Sequence, residues 1–277
     1  MQFDLASLAP ALEEREPGLW SVKQMHEPIS YPAHGTAACL AVEDRSFWFG
    51  HRNCVIAEFV SRFHRRGMFL DVGGGNGYVA KALIAAGIDC VLVEPGVDGA
   101  LAARARAVEP VICARLEDLN LPPGCAASVG LFDVLEHIED EAAALKLIHS
   151  VLEPSGHLFL TVPAYQVLSS SEDRVAGHFR RYTIPRLRRV LARSHFRIEF
   201  SSYFFAPLPP LILLSRTIPT WLRMRHEEKH EIADSEHAPG GPAAWVMDRM
   251  LDLELRLLRA GKRCPFGGSC LCVAVKE

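Results

Sequence analysis

One stretch limits the fold more than any other: Leu70-Asp71-Val72-Gly73-Gly74-Gly75-Asn76-Gly77-Tyr78. Apolar residues from Met68 to Leu70 lead into it and read as the end of a buried strand. Val79 to Ala86 follow as a helix that Gly87 stops. The chain is therefore expected to run strand, glycine turn, helix. Glycines at 73, 75 and 77 let the backbone turn tightly and let a ligand approach the main chain, because no Cβ intervenes. The helix start behind them presents free N–H groups and a positive dipole end to a polar or anionic group.

The spacing narrows the ligand. A dinucleotide turn reads G-x-G-x-x-G, whereas the glycines here fall at G-x-G-x-G, with Tyr78 where the third dinucleotide glycine would stand. Asp71 sits at the strand end. Glu94 closes the next apolar run, Cys90-Val91-Leu92-Val93, at the place where an acid holds a ribose diol. The acid-first glycine turn with its second acid resembles the cofactor site of class I S-adenosylmethionine-dependent methyltransferases. The resemblance implies that Asp71, Gly73, Gly75 and Gly77 face the methionine part of the cofactor and that Glu94 binds the ribose hydroxyls.

Further motifs occur in the order this family would have them. Phe47-Trp48-Phe49 with Arg52 is similar to an entry segment that covers the cofactor. There an aromatic face attracts a sulfonium and Arg52 meets a carboxylate; the same aromatics also suit helix packing. After the strand Pro110–Cys113, the turn Ala114–Leu119 stands where the family holds adenine, which assigns Arg115 and Leu116 to the cofactor. Glu117 and Asp118 read either as adenine ligands or as capping, solvated acids. The strand Ala127–Phe132 runs into Asp133-Val134-Leu135-Glu136-His137, a family-like stretch that would put Phe132 and Asp133 beside the transferable methyl. Glu136 and His137 pair a carboxylate with an imidazole, a combination suited to acid–base work, although the resemblance also allows a structural role.

A helix over Glu141–Leu152 and a strand over His157–Pro163 come next. The polar loop Ser169–Thr183 resembles one found in a subset of small-molecule methyltransferases. In it His178 is the candidate general base, Asp173 its orienting acid, and Arg180, Arg181 and Tyr182 the candidates for holding substrate oxygens. A loop tied only by salt bridges is the alternative. Ile184–Ser194 reads as a helix and Phe196–Tyr203 as a strand. The last strand is delayed to Ser269–Val275 by an insertion that opens on Phe204–Leu214 and ends in an amphipathic helix, Ala243–Arg259. The apolar opening suits a lid over an apolar substrate, a segment lying on a membrane surface across 204–222, or simple burial; it is too short and too interrupted by proline to span a bilayer.

The expected fold is thus an α/β, Rossmann-like class I methyltransferase sandwich: a mostly parallel seven-stranded sheet with helices on both faces and an inserted helical cap. The expected division is a lead-in over 1–42, a methyltransferase domain over 43–203 and 265–277, and a cap over 204–264. The 277 residues, 49% hydrophobic, suffice for such a core. A formal net charge of −3 gives no general nucleic-acid footprint. The start lacks a secretory pattern, and eight scattered cysteines suit free thiols in a reducing cytoplasm. Cys264, Cys270 and Cys272 lack C-x-x-C pairing, and His226-Glu227-Glu228-Lys229-His230 matches a zinc-protease pattern by chance in a charge-rich stretch. The expected cofactor is S-adenosylmethionine, with no metal. The expected acceptor is a small, apolar or lipid-linked molecule, methylated in the cytoplasm or at the inner membrane face. An NAD-dependent oxidoreductase and a non-catalytic methyltransferase-like scaffold are the alternatives, and the oligomeric state is left open.

Overall fold

Burial alternates along the strands with a period of two, so each strand feeds both faces of one sheet. In the computed structural model, which describes residues 3–22, 39–209 and 242–277, Leu70, Val91, Val93, Leu158 and Leu160 point to one face while Phe69, Cys90, Leu92 and Phe159 point to the other. The elements in chain order begin with the one-turn helix α1 (Leu5–Leu8), the hairpin β1 (Leu12–Glu16) and β2 (Leu19–Val22), and α2 (Phe47–Phe63). Two strand–helix alternations and two further strands follow: β3 (Phe69–Val72), α3 (Tyr78–Ala85), β4 (Cys90–Val93), α4 (Val97–Ala105), β5 (Val111–Cys113) and β6 (Ala126–Phe132). Then come α5 (Glu141–Val151), β7 (Leu152–Pro163), the short α6 (Ser171–Val175), α7 (Ile184–Arg193), β8 (Phe196–Phe204), α8 (Pro242–Arg259) and β9 (Ser269–Lys276).

The sheet runs β1-β2-β5-β4-β3-β6-β7-β9-β8. Strands β2 through β7 pair in parallel, and β9 inserts antiparallel between β7 and β8. Chain order reverses between β3 and β6, so the ligand edge lies where these strands end. Helices α5 and α7 cover one face through Leu145, Ile148, Leu187 and Leu191; α2, α3, α4 and α8 cover the other through Val55, Ile56, Phe59, Leu83, Ala103 and Leu258. Each of the larger of these side chains contributes roughly 1.5–3 kcal/mol by leaving water, and Ala103 less.

The sheet has nine strands, where the sequence led us to expect seven. The extra pair is the N-terminal hairpin, in the region read only as a lead-in. Gly18, at φ +74°, turns β1 onto β2, and β2 then pairs in parallel with β5. The pattern was hidden because β1 is an edge strand of sequence Leu-Glu-Glu-Arg-Glu that buries little beyond Leu12; charge on an edge strand keeps it from pairing with other chains.

Helix α2 shows how sequence positions the site. Ser46 caps it, its Oγ accepting from the N–H groups of Trp48 and Phe49 at 3.2 and 3.5 Å. Residues 48, 51, 52, 55, 56 and 59 then recur along one stripe. The lower half, Val55, Ile56 and Phe59, is core, and the upper half brings Trp48, His51 and Arg52 to the ligand edge. Phe204 and Phe205 are fully buried, so the first turn of the apolar run after β8 belongs to the core. Residues 210–241, and with them the His226–His230 pattern and most of 204–222, lie outside the described residues. No helix among the described residues is long and apolar enough to cross a membrane.

Candidate active site

The glycine turn folds as its composition demands. Gly73, Gly75 and Gly77 have φ of +71°, +53° and +74°. A Cβ on Gly77 would lie 2.8 Å from the Ala103 side chain, whereas one on Gly75 would meet nothing within 4 Å. Gly77 is thus small because α4 packs on it; Gly75 is small beside open space, the room a ligand needs above the main chain.

Two buried acids flank that space. Glu94 accepts from the Gly75 N–H at 2.9 Å through Oε2 and from the Gly96 N–H at 2.7 Å through Oε1. Burial pushes its carboxyl above the usual range, against those two bonds. Each oxygen keeps lone-pair capacity for a further donor, as a ribose diol requires. Asp71 is 1% exposed, and its Oδ2 meets no hydrogen-bond donor among the described residues. Burial raises its pKa to about 7; the Arg52 charge opposes the shift and Glu94 adds to it. A buried carboxylate oxygen without a donor, a diol-ready carboxylate and a glycine facing open space together fit the amino-acid and ribose parts of S-adenosylmethionine.

The β6 tip faces them. Asp133 stands at φ +59°, a strained setting for a non-glycine residue, and Arg52 holds it: Nε pairs with the Asp133 carboxylate and Nη2 donates to the Phe132 carbonyl at 2.7 Å. Arg52 is therefore already engaged across the sheet tip, where the sequence had it meeting a cofactor carboxylate. Its guanidinium lies 5.5 Å from the Trp48 ring centre, and Trp48 stacks on Phe205 at 5.6 Å. Phe47 and Trp48 also pack against the core, the helix-packing role that the sequence left open for these aromatics. Leu116 is buried in the turn after β5, and Arg115 lies beside it with an ion pair to Glu117 at 3.6 Å.

On the far side of the β6 tip the polar loop arrives. His178 Nδ1 lies 2.8 Å from Asp173 Oδ1. Arg181 donates to both Asp173 oxygens at 2.8 and 3.0 Å, and the Ser170 N–H donates to Oδ2 at 2.8 Å. Burial alone would raise the Asp173 pKa; the hydrogen bonds from His178 and Arg181 reverse that and hold it well below the carboxylate range. The His178 and His137 rings meet edge to face at 4.6 Å. Burial, with His178 close by, lowers the His137 pKa to about 4. Asp173 thus lies beside His178, and His137, which the sequence assigned from a separate motif, meets His178 as well.

Tyr182 does not join them. It is fully buried, and its hydroxyl donates to Glu141 at 2.6 Å, so it is packed against α5 and not placed to hold substrate oxygens. Arg180 is spent on the Glu139 carbonyl at 2.7 Å and on Glu141. Cys270 and Cys272 are buried on β9, which makes the C-terminal cysteine cluster core packing. Sequence reasoning did not commit to Glu136, whose side chain is almost completely buried below the two imidazoles. Its signal, an acid beside a histidine just past a strand end, was present but shared with structural turns.

Comparison with known proteins places the chain in a family. A family model described as a methyltransferase domain matches residues 48–199, more than half of the chain. A probable S-adenosylmethionine-dependent methyltransferase of Mycolicibacterium smegmatis is 26% identical over 177 residues, covering 62% of this chain and 68% of that protein. A ubiquinone biosynthesis O-methyltransferase of Pectobacterium carotovorum is 28% identical over 98 residues, which span 33% of this chain and 41% of that protein. Among solved structures, a Haemonchus contortus phosphoethanolamine N-methyltransferase 2 in complex with S-adenosyl-L-methionine shares the fold, with a TM-score of 0.55, 17% identity, and coverage of 90% of this chain and 58% of that one. The chain therefore belongs to this methyltransferase-domain family and is an S-adenosylmethionine-dependent methyltransferase.

Proposed function

We propose that the acceptor is a small hydroxylated molecule with an apolar body, and that its nucleophile is met at His178. S-adenosylmethionine supplies an electrophilic methyl on a positive sulfonium. The chain's own residues supply alignment and water exclusion, which account for most of what such a transfer needs. Asp71 and the turn Gly73–Gly77 take the amino-acid end, Glu94 the ribose hydroxyls, and Leu116 with Arg115 the side next to the base. Phe132 and Asp133 form the wall behind the methyl, kept in place by Arg52. Asp173 fixes the His178 ring so that its Nε2 is the atom left to address the acceptor. Residues 204–264 are proposed as a cap over that side, in which Phe205 supplies an apolar wall beside Trp48. The match to an O-methyltransferase of ubiquinone biosynthesis favours an oxygen nucleophile on an apolar body.

The observation that carries this reading is the convergence of two polar clusters on the β6 tip: the glycine turn with Glu94 on one side, His178 with Asp173 on the other. Titration calorimetry with S-adenosylhomocysteine tests the first cluster. Glu94→Ala is expected to weaken binding by about 10- to 100-fold, the worth of charge-assisted hydrogen bonds; unchanged affinity would remove Glu94 from the site. Turnover of hydroxylated apolar acceptors tests the second. His178→Ala is expected to bind S-adenosylhomocysteine normally and to lose most methyl transfer, and full turnover would exclude it.

A further inference from the structure

Beyond the cofactor side, Glu136, His137 and His178 form a compact set of metal-ligating groups: one donor atom from each lies within 4.8 Å of the others. Histidine pairs and acid clusters arise without ions, so the state of each donor decides the matter. Glu136 is 1% exposed, and neither of its carboxylate oxygens receives a hydrogen bond from another described residue. A carboxylate in that position costs several kcal/mol unless a cation or donor meets it. The two nearby arginines are committed elsewhere, Arg52 to Asp133 and the Phe132 carbonyl, Arg181 to Asp173.

The histidines are set up from behind. Asp173 takes the Nδ1 side of His178 and is itself locked by Arg181 and the Ser170 N–H. This leaves Nε2 as the free lone pair, in the carboxylate–histidine arrangement that orients metal ligands. The two ligand-bearing segments are also stitched together. The Phe179 N–H donates to the Glu136 carbonyl at 2.9 Å, the His178 N–H to the Asp173 carbonyl at 2.8 Å, and the His137 N–H to the Val134 carbonyl at 2.9 Å.

We propose that Glu136, His137 and His178 bind one divalent transition ion of the zinc type, with a coordination position left open for the acceptor's oxygen. Two imidazoles and one carboxylate favour a borderline ion such as Zn²⁺ over Mg²⁺ or Ca²⁺, which take mainly oxygen ligands. Three protein ligands plus an open position is the pattern of zinc sites that act on a bound molecule. The binding claim stands on the residues alone, while its use in catalysis rests on the acceptor side proposed above. There the ion favours ionisation of the acceptor hydroxyl. The proton leaves to solvent, the oxygen forms its bond to the methyl carbon, and the carbon–sulfur bond breaks with its electron pair retained by the departing S-adenosylhomocysteine. His178 then meets the acceptor through the ion that its Nε2 binds, as a ligand and not as a base.

The test uses the full chain stripped with a chelator. Zn²⁺ is titrated against a competing chromophoric chelator, Co²⁺ is followed by its visible absorption, and Mg²⁺ serves as the comparison. The expected result is one Zn²⁺ per chain and a Co²⁺ spectrum of imidazole and carboxylate ligation without a thiolate band. Glu136→Gln and His178→Ala should each weaken Zn²⁺ by at least about 100-fold, and Asp173→Asn by about 10- to 100-fold, as removal of an outer-shell partner does. S-adenosylhomocysteine binding, measured in parallel, reports that each variant is folded. Wild-type protein that binds S-adenosylhomocysteine but takes up no stoichiometric Zn²⁺ overturns the ion and leaves the cofactor reading intact. Zn²⁺ uptake unchanged by both ligand substitutions, or a thiolate-type Co²⁺ spectrum, overturns the site. Failure of S-adenosylhomocysteine to bind the wild type counts against the cofactor residues instead.

Discussion

Burial at the end of β3 makes Asp71 resist ionisation. Its carboxyl, 1% exposed at the end of β3, titrates near pH 7 in the folded chain and near 3.8 when unfolded. Between those values the folded state keeps a proton that the unfolded state has lost, so this residue makes stability fall as pH rises from about 4 to 7. Asp71→Asn removes the titration. Its stability relative to wild type should therefore improve across that window, by up to about 4 kcal/mol for a shift of roughly three units, in urea denaturation run at a series of pH values. The places of Asp71 and Glu94 at strand ends, and the glycine turn between β3 and α3, were legible from sequence because strand, turn and helix are each set by residues a few positions away. Arg52 was assigned a cofactor carboxylate and instead holds Asp133, because a partner 81 positions distant leaves no local trace. Tyr182 was misplaced for a related reason: a tyrosine in a polar loop looks the same whether its hydroxyl reaches solvent or Glu141.

At the level of the turn between β3 and α3, two glycines that look alike in sequence do different work. Gly77→Ala forces a methyl into a left-handed residue, at about 1–2 kcal/mol, and brings it within 2.8 Å of Ala103 on α4. Denaturation should show a stability loss larger than the backbone term alone. Gly75→Ala carries only the backbone term, and its methyl enters the open space above the loop. It should stay folded and lose S-adenosylhomocysteine binding in calorimetry. Elements with long, strong periodicity were legible to within a residue or two, as with α5, α7, β8 and α8. The hairpin β1–β2 was not, because a short charged edge strand carries almost no apolar alternation, and its pairing with β5 joins residues about 90 positions apart.

Across the whole molecule, the chain after β8 is tied to α2 by one buried carboxylate. Glu254 on α8 accepts from the Phe205 and Ala206 N–H groups, each at 2.8 Å, and lies 2.8 Å from His51 Nε2. Glu254→Ala would leave all three without a partner, and a loss of about 2–5 kcal/mol is expected in urea denaturation, with Glu254→Gln milder. The fold class was legible because motif order fixes it, whereas this junction joins residues some 200 positions apart and was not.

Helix α2 carries Trp48, His51 and Arg52 within about one turn. Trp48 lies against Phe205, His51 against Glu254, and Arg52 against Asp133 at the β6 tip. On the function proposed above, a ligand that prefers one placement of Phe205 also biases Asp133, the proposed wall behind the methyl, through a single rigid rod. Binding on the two sides is then linked, and linkage is reciprocal. Whatever factor the acceptor gains from bound S-adenosylhomocysteine, S-adenosylhomocysteine must gain from the acceptor, and loosening the rod at Glu254 should reduce both by the same amount.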